Sequence, residues 1–351
     1  MKLLHVGAFP FPGPQDAPVY LAGLTRALAQ AGHHVVLVCD HAGGGKVATE
    51  VDVARAQRLP THWGRAAADV ALARSVHRQL GRRRFDMLHV HGARAPLLAW
   101  LSRLARRHGV PVVVNQSLTP GSVTPAGMAA RLGGGAVAVC ARGRDALAHR
   151  GIRQIALIRP GLDPVDLVDV DDKRARQRWD LGTRAWIAAT DGPGLSGLAS
   201  AVARLGETGL LVVSDRASEH DERTWDRGGL PAERRRFVAV SDVVEWAEAL
   251  AVGQVFVGTA GSAEGFPMAL LHALGLGRPA VLTKDAMQPV AGVVGCDEAD
   301  VVQMSAVLGR LLGDRAEREA LGQAGWQDVR GRWSWTGRAA ELTEFYEHIL
   351  A

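Results

Sequence analysis

Several things are scarce in this 351-residue chain, and each scarcity removes a class of function. Cysteine occurs three times, at Cys39, Cys140 and Cys296. The three are odd in number, far apart and not spaced as metal ligands, so reduced thiols are expected rather than a disulfide framework or a zinc site. No apolar run reaches the ~18 residues needed to cross a bilayer. The first residues, Met-Lys-Leu-Leu-His-Val-Gly, give way to a proline- and glycine-rich stretch too early for a signal peptide. Aromatics make up 5% and are not interleaved with the basic residues, which argues against nucleic acid as a partner. The thirteen histidines form no H-E-x-x-H or comparable cluster, and no P-loop or hydrolase motif is found. No metal is expected.

What is present is glycine (41) and arginine. Only four of the 41 basic residues are lysines: Lys2, Lys46, Lys173 and Lys284. The net charge is +5, with arginines bunched at Arg82–Arg84, Arg103/Arg106/Arg107 and Arg234–Arg236. Solvated helix faces account for such bunches. An anionic substrate or an anionic membrane surface are the functional readings. A cytoplasmic protein is expected, with peripheral contact at the inner membrane face left open.

Short apolar runs alternate with helical patterns from end to end. Strands are predicted at 2–8, 34–39, 86–91, 110–115, 136–140 and 154–158, with helices at 19–31, 65–80, 95–108, 125–132 and 142–150 between them. Near-continuous apolar strands joined by helices specify parallel sheets. An Asp-rich stretch at 163–173 reads as a linker or the first turn of a second unit. Strands at 185–190, 209–214, 236–240, 254–258 and 279–283 then alternate with helices at 195–206, 242–250 and 265–276. Helices at 299–313, 315–331 and 335–350 close the chain. The predicted fold class is α/β, two Rossmann-like doubly wound domains facing a central cleft, where ligands of such folds bind.

Five segments, in order, resemble the GT-B retaining glycosyltransferases of the family 4-like (group 1) type. They are 28–38 (LAQAGHHVVLV), 85–91 (FDMLHVH), 157–163 (LIRPGLD), 264–281 (EGFPMALLHALGLGRPAV) and 333–350 (WSWTGRAAELTEFYEHIL). The resemblance implies an acceptor-side domain over 1–163, a nucleotide-sugar donor domain over 164–334, and a closing helix over 335–351 that returns to the first domain. It implies retaining, metal-independent sugar transfer from a nucleotide-diphosphate sugar to an acceptor hydroxyl. The acceptor would be a small molecule, a glycan or a lipid-linked glycan, and no resident cofactor would be needed.

By that resemblance Glu264 holds the donor sugar and His91 lies near the acceptor or the donor phosphate. A dipole-complementing Glu and a strand-end histidine satisfied by backbone are the bland alternatives. His89, two residues earlier on the same face, reads as structural. Gly265, Phe266, His272 and the loop of Gly192, Gly194, Ser196 and Gly197 would meet the donor. Gly13, Gln15 and Asp16 would lie on the acceptor side.

The pattern also breaks. Gln15-Asp16 replaces the family's Gly-Gly, and the Arg and Lys that neutralise the leaving diphosphate are missing from 190–197 (TDGPGLSG). His272 replaces the second carboxylate, and Gly261 replaces a serine. Arg159 or Lys284 could substitute for the lost cations. A non-catalytic homologue that binds a partner or sugar therefore stands as the second reading. An epimerase would need more cleft carboxylates, and a cofactor-dependent phosphorylase a suitably placed lysine. Gly192-x-Gly194-x-x-Gly197 with Asp215 also fits a dinucleotide loop on paper.

Overall fold

The structure is a computed structural model, and it describes residues 1–11, 16–41, 51–55, 64–115, 134–163, 167–192, 194–214, 228–259, 267–283, 288–297 and 299–351. The chain divides into two compact units. The first holds residues 1–161 and the C-terminal segment 335–351, and the second runs from Leu162 to Ser334 apart from a short piece of the undescribed stretch before Pro267.

Unit 1 is built on β1 (Lys2–Phe11), α1 (Asp16–Gln30), β2 (His34–His41), β3 (Asp52–Arg55), α2 (Gly64–Arg82), β4 (Met87–His91), α3 (Ala95–Arg107), β5 (Val112–Asn115), β6 (Gly135–Ala138), α4 (Ala141–His149) and β7 (Ile155–Leu157). The seven strands are parallel, in the order β3-β2-β1-β4-β5-β6-β7. Every residue of β4 is buried, as expected for a strand covered on both faces. Leu4, Val6, Val36, Val38, Leu88 and Val90 meet Leu97, Leu98 and Leu101 of α3 in one continuous core.

Unit 2 holds α5 (Asp172–Arg178), β8 (Trp186–Thr190), α6 (Leu195–Ala203), β9 (Gly209–Ser214), β10 (Arg235–Ala239), α7 (Val243–Val252), β11 (Gly253–Gly258), α8 (Met268–Gly275), β12 (Ala280–Thr283), β13 (Val293–Cys296), α9 (Val301–Gly313) and α10 (Arg315–Arg332). Its six parallel strands run β10-β9-β8-β11-β12-β13. Helix starts are capped by side-chain carboxylates: Asp242 accepts from the amides of Val244 and Glu245, Asp300 from Gln303, and Asp314 from Glu317.

The last helix, α11 (Trp335–Leu350), belongs to unit 1 and packs across α1. Trp335 is edge-on to Tyr20 with centroids 5.4 Å apart. A Cβ on Gly23 of α1 would lie 2.2 Å from the Trp335 indole, so only glycine lets the two helices come this close.

Three elements were not legible beforehand. β3 and β13 are four-residue strands at sheet edges, too short to carry a pattern. α5 (DKRARQR) starts at the end of the stretch read as a linker or the first turn of a second unit, and Ala175 is its one buried residue. It is held instead by ions: the buried Glu248 of α7 meets Arg174 at 2.7 Å and Arg178 at 3.5 Å. The helix expected at 125–132 lies outside the described residues.

Candidate functional site

In both sheets the chain reverses its direction of winding at the centre. The reversal lies between β1 and β4 in unit 1 and between β8 and β11 in unit 2. Crossover loops part to opposite faces there, which is where open parallel sheets bind ligands.

At the switch point of unit 1 sit three histidines. β1 and β4 run in register, with His5 opposite His89 and Gly7 opposite His91. The two-residue period of β4 puts His89 and His91 on one face, and His5 joins them from β1. The ring centroids of His89 and His91 are 4.1 Å apart, and His5 is stacked on His91 at 5.3 Å. His5 Nδ1 and His91 Nε2 share a hydrogen bond of 3.1 Å, and His89 Nδ1 bonds the hydroxyl of Tyr346 at 2.6 Å. Exposure is 0% for His5, 1% for His89 and 2% for His91.

Burial is the main reason these rings stay neutral. It takes His5 down to about 3, with His33 adding repulsion. It also takes His89 and His91 well below the usual histidine range, helped at His89 by repulsion from His91 and His5 and at His91 by repulsion from His5. A neutral imidazole carries one N–H. If His5 donates the shared bond, His91 must carry its proton on Nδ1. If His91 donates, His5 carries its proton on Nε2. Both atoms are buried without a hydrogen-bond partner among the described residues. Among the described residues one buried N–H of this pair is therefore left over, and a donor left so costs about 1–3 kcal/mol.

One nitrogen from each of the three rings lies within 4.8 Å of the others, so by count they could hold a metal ion. While the His5–His91 bond persists, at most one of that pair has a free lone pair. Among the described residues only His89 has a hydrogen-bond partner outside the group, the Tyr346 hydroxyl, and none of the three bonds a carboxylate or backbone carbonyl as ligating histidines commonly do. The arrangement suits a hydrogen-bonded histidine group better than a metal centre.

At the switch point of unit 2 the glycine loop leaves β8. Gly194 takes φ +87°, a left-handed conformation that glycine alone adopts without strain, and serves as the N-cap of α6. It offers no side chain to cap the helix. The amides of Leu195, Ser196 and Gly197 open the helix, where intrahelical acceptors are lacking. The first intrahelical bond runs from the Leu198 amide to the Gly194 carbonyl, 3.0 Å. Ser196 is exposed, and Gly192 has open space around its Cα. Amides of this kind, with the helix dipole behind them, form an anion site.

Of the remaining predicted residues, His272 and Arg159 have described side chains. His272 lies in α8, 1% exposed, with Nδ1 2.9 Å from the Met268 carbonyl of its own helix. Arg159 belongs to unit 1, where burial and the neighbouring Arg338 pull its guanidinium below the ordinary value, while Glu341 acts in the opposite sense. Gly13, Gln15, Glu264, Gly265, Phe266 and Lys284 lie outside the described residues, and of Asp16 only its place at the start of α1 is described. Sequence reasoning missed His5, Tyr20 and Tyr346. The alternation H-x-H on β4 pointed to that face, but the partners come from β1, α1 and α11, and no local pattern announces them.

Residues 17–160 match the family described as glycosyl transferase 4-like domain. Comparison with curated protein sequences finds no significant match. Among solved structures, sucrose-phosphate synthase from Thermosynechococcus elongatus aligns at 15% identity over 99% of this chain and 98% of that one, with a TM-score of 0.77. Anabaena HepE, solved with UDP and glucose, aligns at 16% identity over 99% and 100%, with a TM-score of 0.75. WaaG, a glycosyltransferase involved in lipopolysaccharide biosynthesis, aligns at 14% over 97% and 99%, with a TM-score of 0.69. Residues 17–160 thus match the glycosyl transferase 4-like domain, and the chain shares the two-sheet GT-B fold of these solved glycosyltransferases.

Proposed function

We propose that this protein transfers a sugar from a nucleotide-diphosphate sugar to an acceptor hydroxyl, with retention and without a metal or resident cofactor. The observation that carries the reading is the start of α6. Gly194, in its left-handed conformation, turns the chain at the end of β8 so that uncapped first-turn amides stand at the switch point of unit 2. A diphosphate accepts from such amides, and charge developing on it as the bond to the anomeric carbon breaks is stabilised there. Ser196 Oγ adds a donor in place of the missing cations. Glu264, on the stretch after β11, would hold the sugar hydroxyls, with Gly265, Phe266 and His272 nearby. Lys284, which follows β12, is a candidate source of the missing positive charge, and so is Arg159 from unit 1.

His91 would act toward the substrate as a neutral hydrogen-bond donor. Its depressed proton affinity argues against a charged imidazolium at neutral pH. Gly13, Gln15 and Asp16, in the loop after β1, would border the acceptor. The acceptor is a small molecule, a glycan or a lipid-linked glycan.

UDP is the nucleotide to try first, since HepE was solved with UDP and with UDP-glucose, and the synthase from Burkholderia vietnamiensis (TM-score 0.70) is UDP-forming. A thermal-shift series with UDP, GDP, ADP, dTDP and CDP tests the reading. Ligand at 100 times its Kd should stabilise the native state by about 2.7 kcal/mol. One nucleotide raising the midpoint supports a working donor site. None doing so favours the non-catalytic reading, for which the lost cations and the His272 substitution are the specific observations.

A further inference from the structure

One face of unit 1 carries a charged feature apart from the residues assigned above to sugar transfer. α2 and α3 lie side by side and together hold seven arginines against one carboxylate, Asp69. That carboxylate is already engaged by Arg94 at 2.6 Å. Between the helices lies a cavity of about 450 Å³ lined by Arg74, His77, Arg78, Trp100 and Arg107 above the apolar floor of Ala71, Ala73 and Leu104. Arg74 and Arg78 are one helical turn apart on α2, and Trp100, Arg103 and Arg107 recur at turn spacing on α3. All five of these side chains are exposed, Trp100 by 40%. The Trp rests on the rim of a basic cavity with no acidic neighbour among the described residues of its lining.

Like charges gathered this closely repel one another, so the face is at a disadvantage until anions arrive. Guanidinium groups recognise phosphate with paired N–H donors. A half-exposed indole beside them has an apolar body and a polar edge, the combination that partitions to the boundary between headgroups and acyl chains. A single-stranded nucleic acid would instead ask for several stacking aromatics along a groove, and one Trp is present. We propose that the α2–α3 face docks onto a bilayer of anionic phospholipid, with headgroup phosphates in the Arg74/Arg78/Arg107 cavity and Trp100 entering the interface. The inference is independent of the donor site and of the transfer reaction, because it concerns unit 1 alone.

The test is co-sedimentation of the full chain with vesicles of phosphatidylcholine, pure or with about one third phosphatidylglycerol, in about 0.1 M salt. Binding to the mixed vesicles and not to the pure ones is expected. The triple variant Arg74→Gln/Arg78→Gln/Arg107→Gln should weaken binding on the order of 100-fold, at roughly fivefold per arginine near the surface. In a second arm, bromine-labelled acyl chains should quench part of the tryptophan emission, and that part should be missing in Trp100→Phe. All these side chains are exposed, so unchanged melting curves will show that the variants fold. Equal partition of the wild type into both vesicle types, or an unaffected triple variant, would overturn the proposal. So would release from the mixed vesicles by millimolar inorganic phosphate (a free-phosphate pocket), or tight, variant-sensitive binding to single-stranded RNA with none to lipid.

Discussion

His5 and His91, 86 residues apart in sequence, share a 3.1 Å hydrogen bond at the centre of the first sheet, and both are buried. The bond needs the parallel register of β1 and β4, and it joins the candidate substrate-side histidine to a residue with no motif of its own. Replacing His5 by Asn keeps a polar group but shortens it. If His5 positions His91, transfer should fall with kcat affected more than KM, and Gln, with its longer reach, should recover part of the loss. Equal activity in all three proteins would show that the pair is structural only.

Acid should destabilise the fold through the same group. His5, held down to about 3, and His89 and His91, well below 6.5, take up protons in the unfolded chain before they do in the native one. Their folded values are depressed, so their stabilisation is complete above about pH 6.5 and is lost as pH falls below it. Each contributes a slope of up to about 1.4 kcal/mol per pH unit in that window. Urea titrations between about pH 7 and pH 4.5 should therefore steepen in acid, and His5→Phe should flatten the slope by about one proton. An unchanged slope in that variant would contradict the neutral assignment of His5.

Tyr346 fastens α11 to the sheet through its 2.6 Å contact with His89. Tyr346→Phe removes the hydroxyl and leaves a buried His89 nitrogen unpartnered, which should cost about 1–3 kcal/mol. Adding His89→Leu should recover part of that loss, since no polar atom is then stranded. Simple additivity in the double-mutant cycle would mean that the bond contributes nothing.

Gly23→Ala tests the close approach of α1 and α11. The new methyl would meet the Trp335 indole at 2.2 Å, and the neighbouring Tyr20 is itself buried. A loss of about 1–3 kcal/mol is expected from overpacking, despite the better helix propensity of alanine. Combining it with Trp335→Leu should recover stability relative to the two single losses summed. A stabilised Gly23→Ala protein would place the helices farther apart than they stand here.

At the donor loop, Gly194→Ala forces a side chain into φ +87° and should cost about 1–2 kcal/mol while weakening nucleotide binding. Ser196→Lys should tighten nucleotide binding by restoring a cation at the α6 start. Glu264→Ala should abolish transfer with the melting point unchanged. Normal turnover in the last variant would remove Glu264 from the site.

The strand–helix alternation was readable in the sequence because buried parallel strands are continuous apolar runs. VVLV at 35–38 and LLVV at 210–213 have no other home than a sheet covered on both faces. The glycine loop was also readable, since a left-handed turn before a helix calls for a residue like Gly194. By contrast, β3 and β13 were silent, because edge strands of four residues bury too little to leave a pattern. α5 was silent because its stability comes from ion pairs to a distant, buried Glu248 rather than from an apolar stripe.

The histidine group shows the same division more sharply. Local periodicity put His89 and His91 on one face of β4. Register, strand order and the return of the C-terminal helix were needed to add His5 and Tyr346, and thereby to desolvate the rings. An imidazole's proton affinity is set by what surrounds it, so the charge state of His91 is a property of the tertiary structure that its place in the chain does not reveal. The basic face follows this rule too: arginines bunched at 103–107 are visible in the chain, but the convergence of Arg107 with Arg74, Arg78 and Trp100 on one cavity exists only once α2 and α3 are packed together.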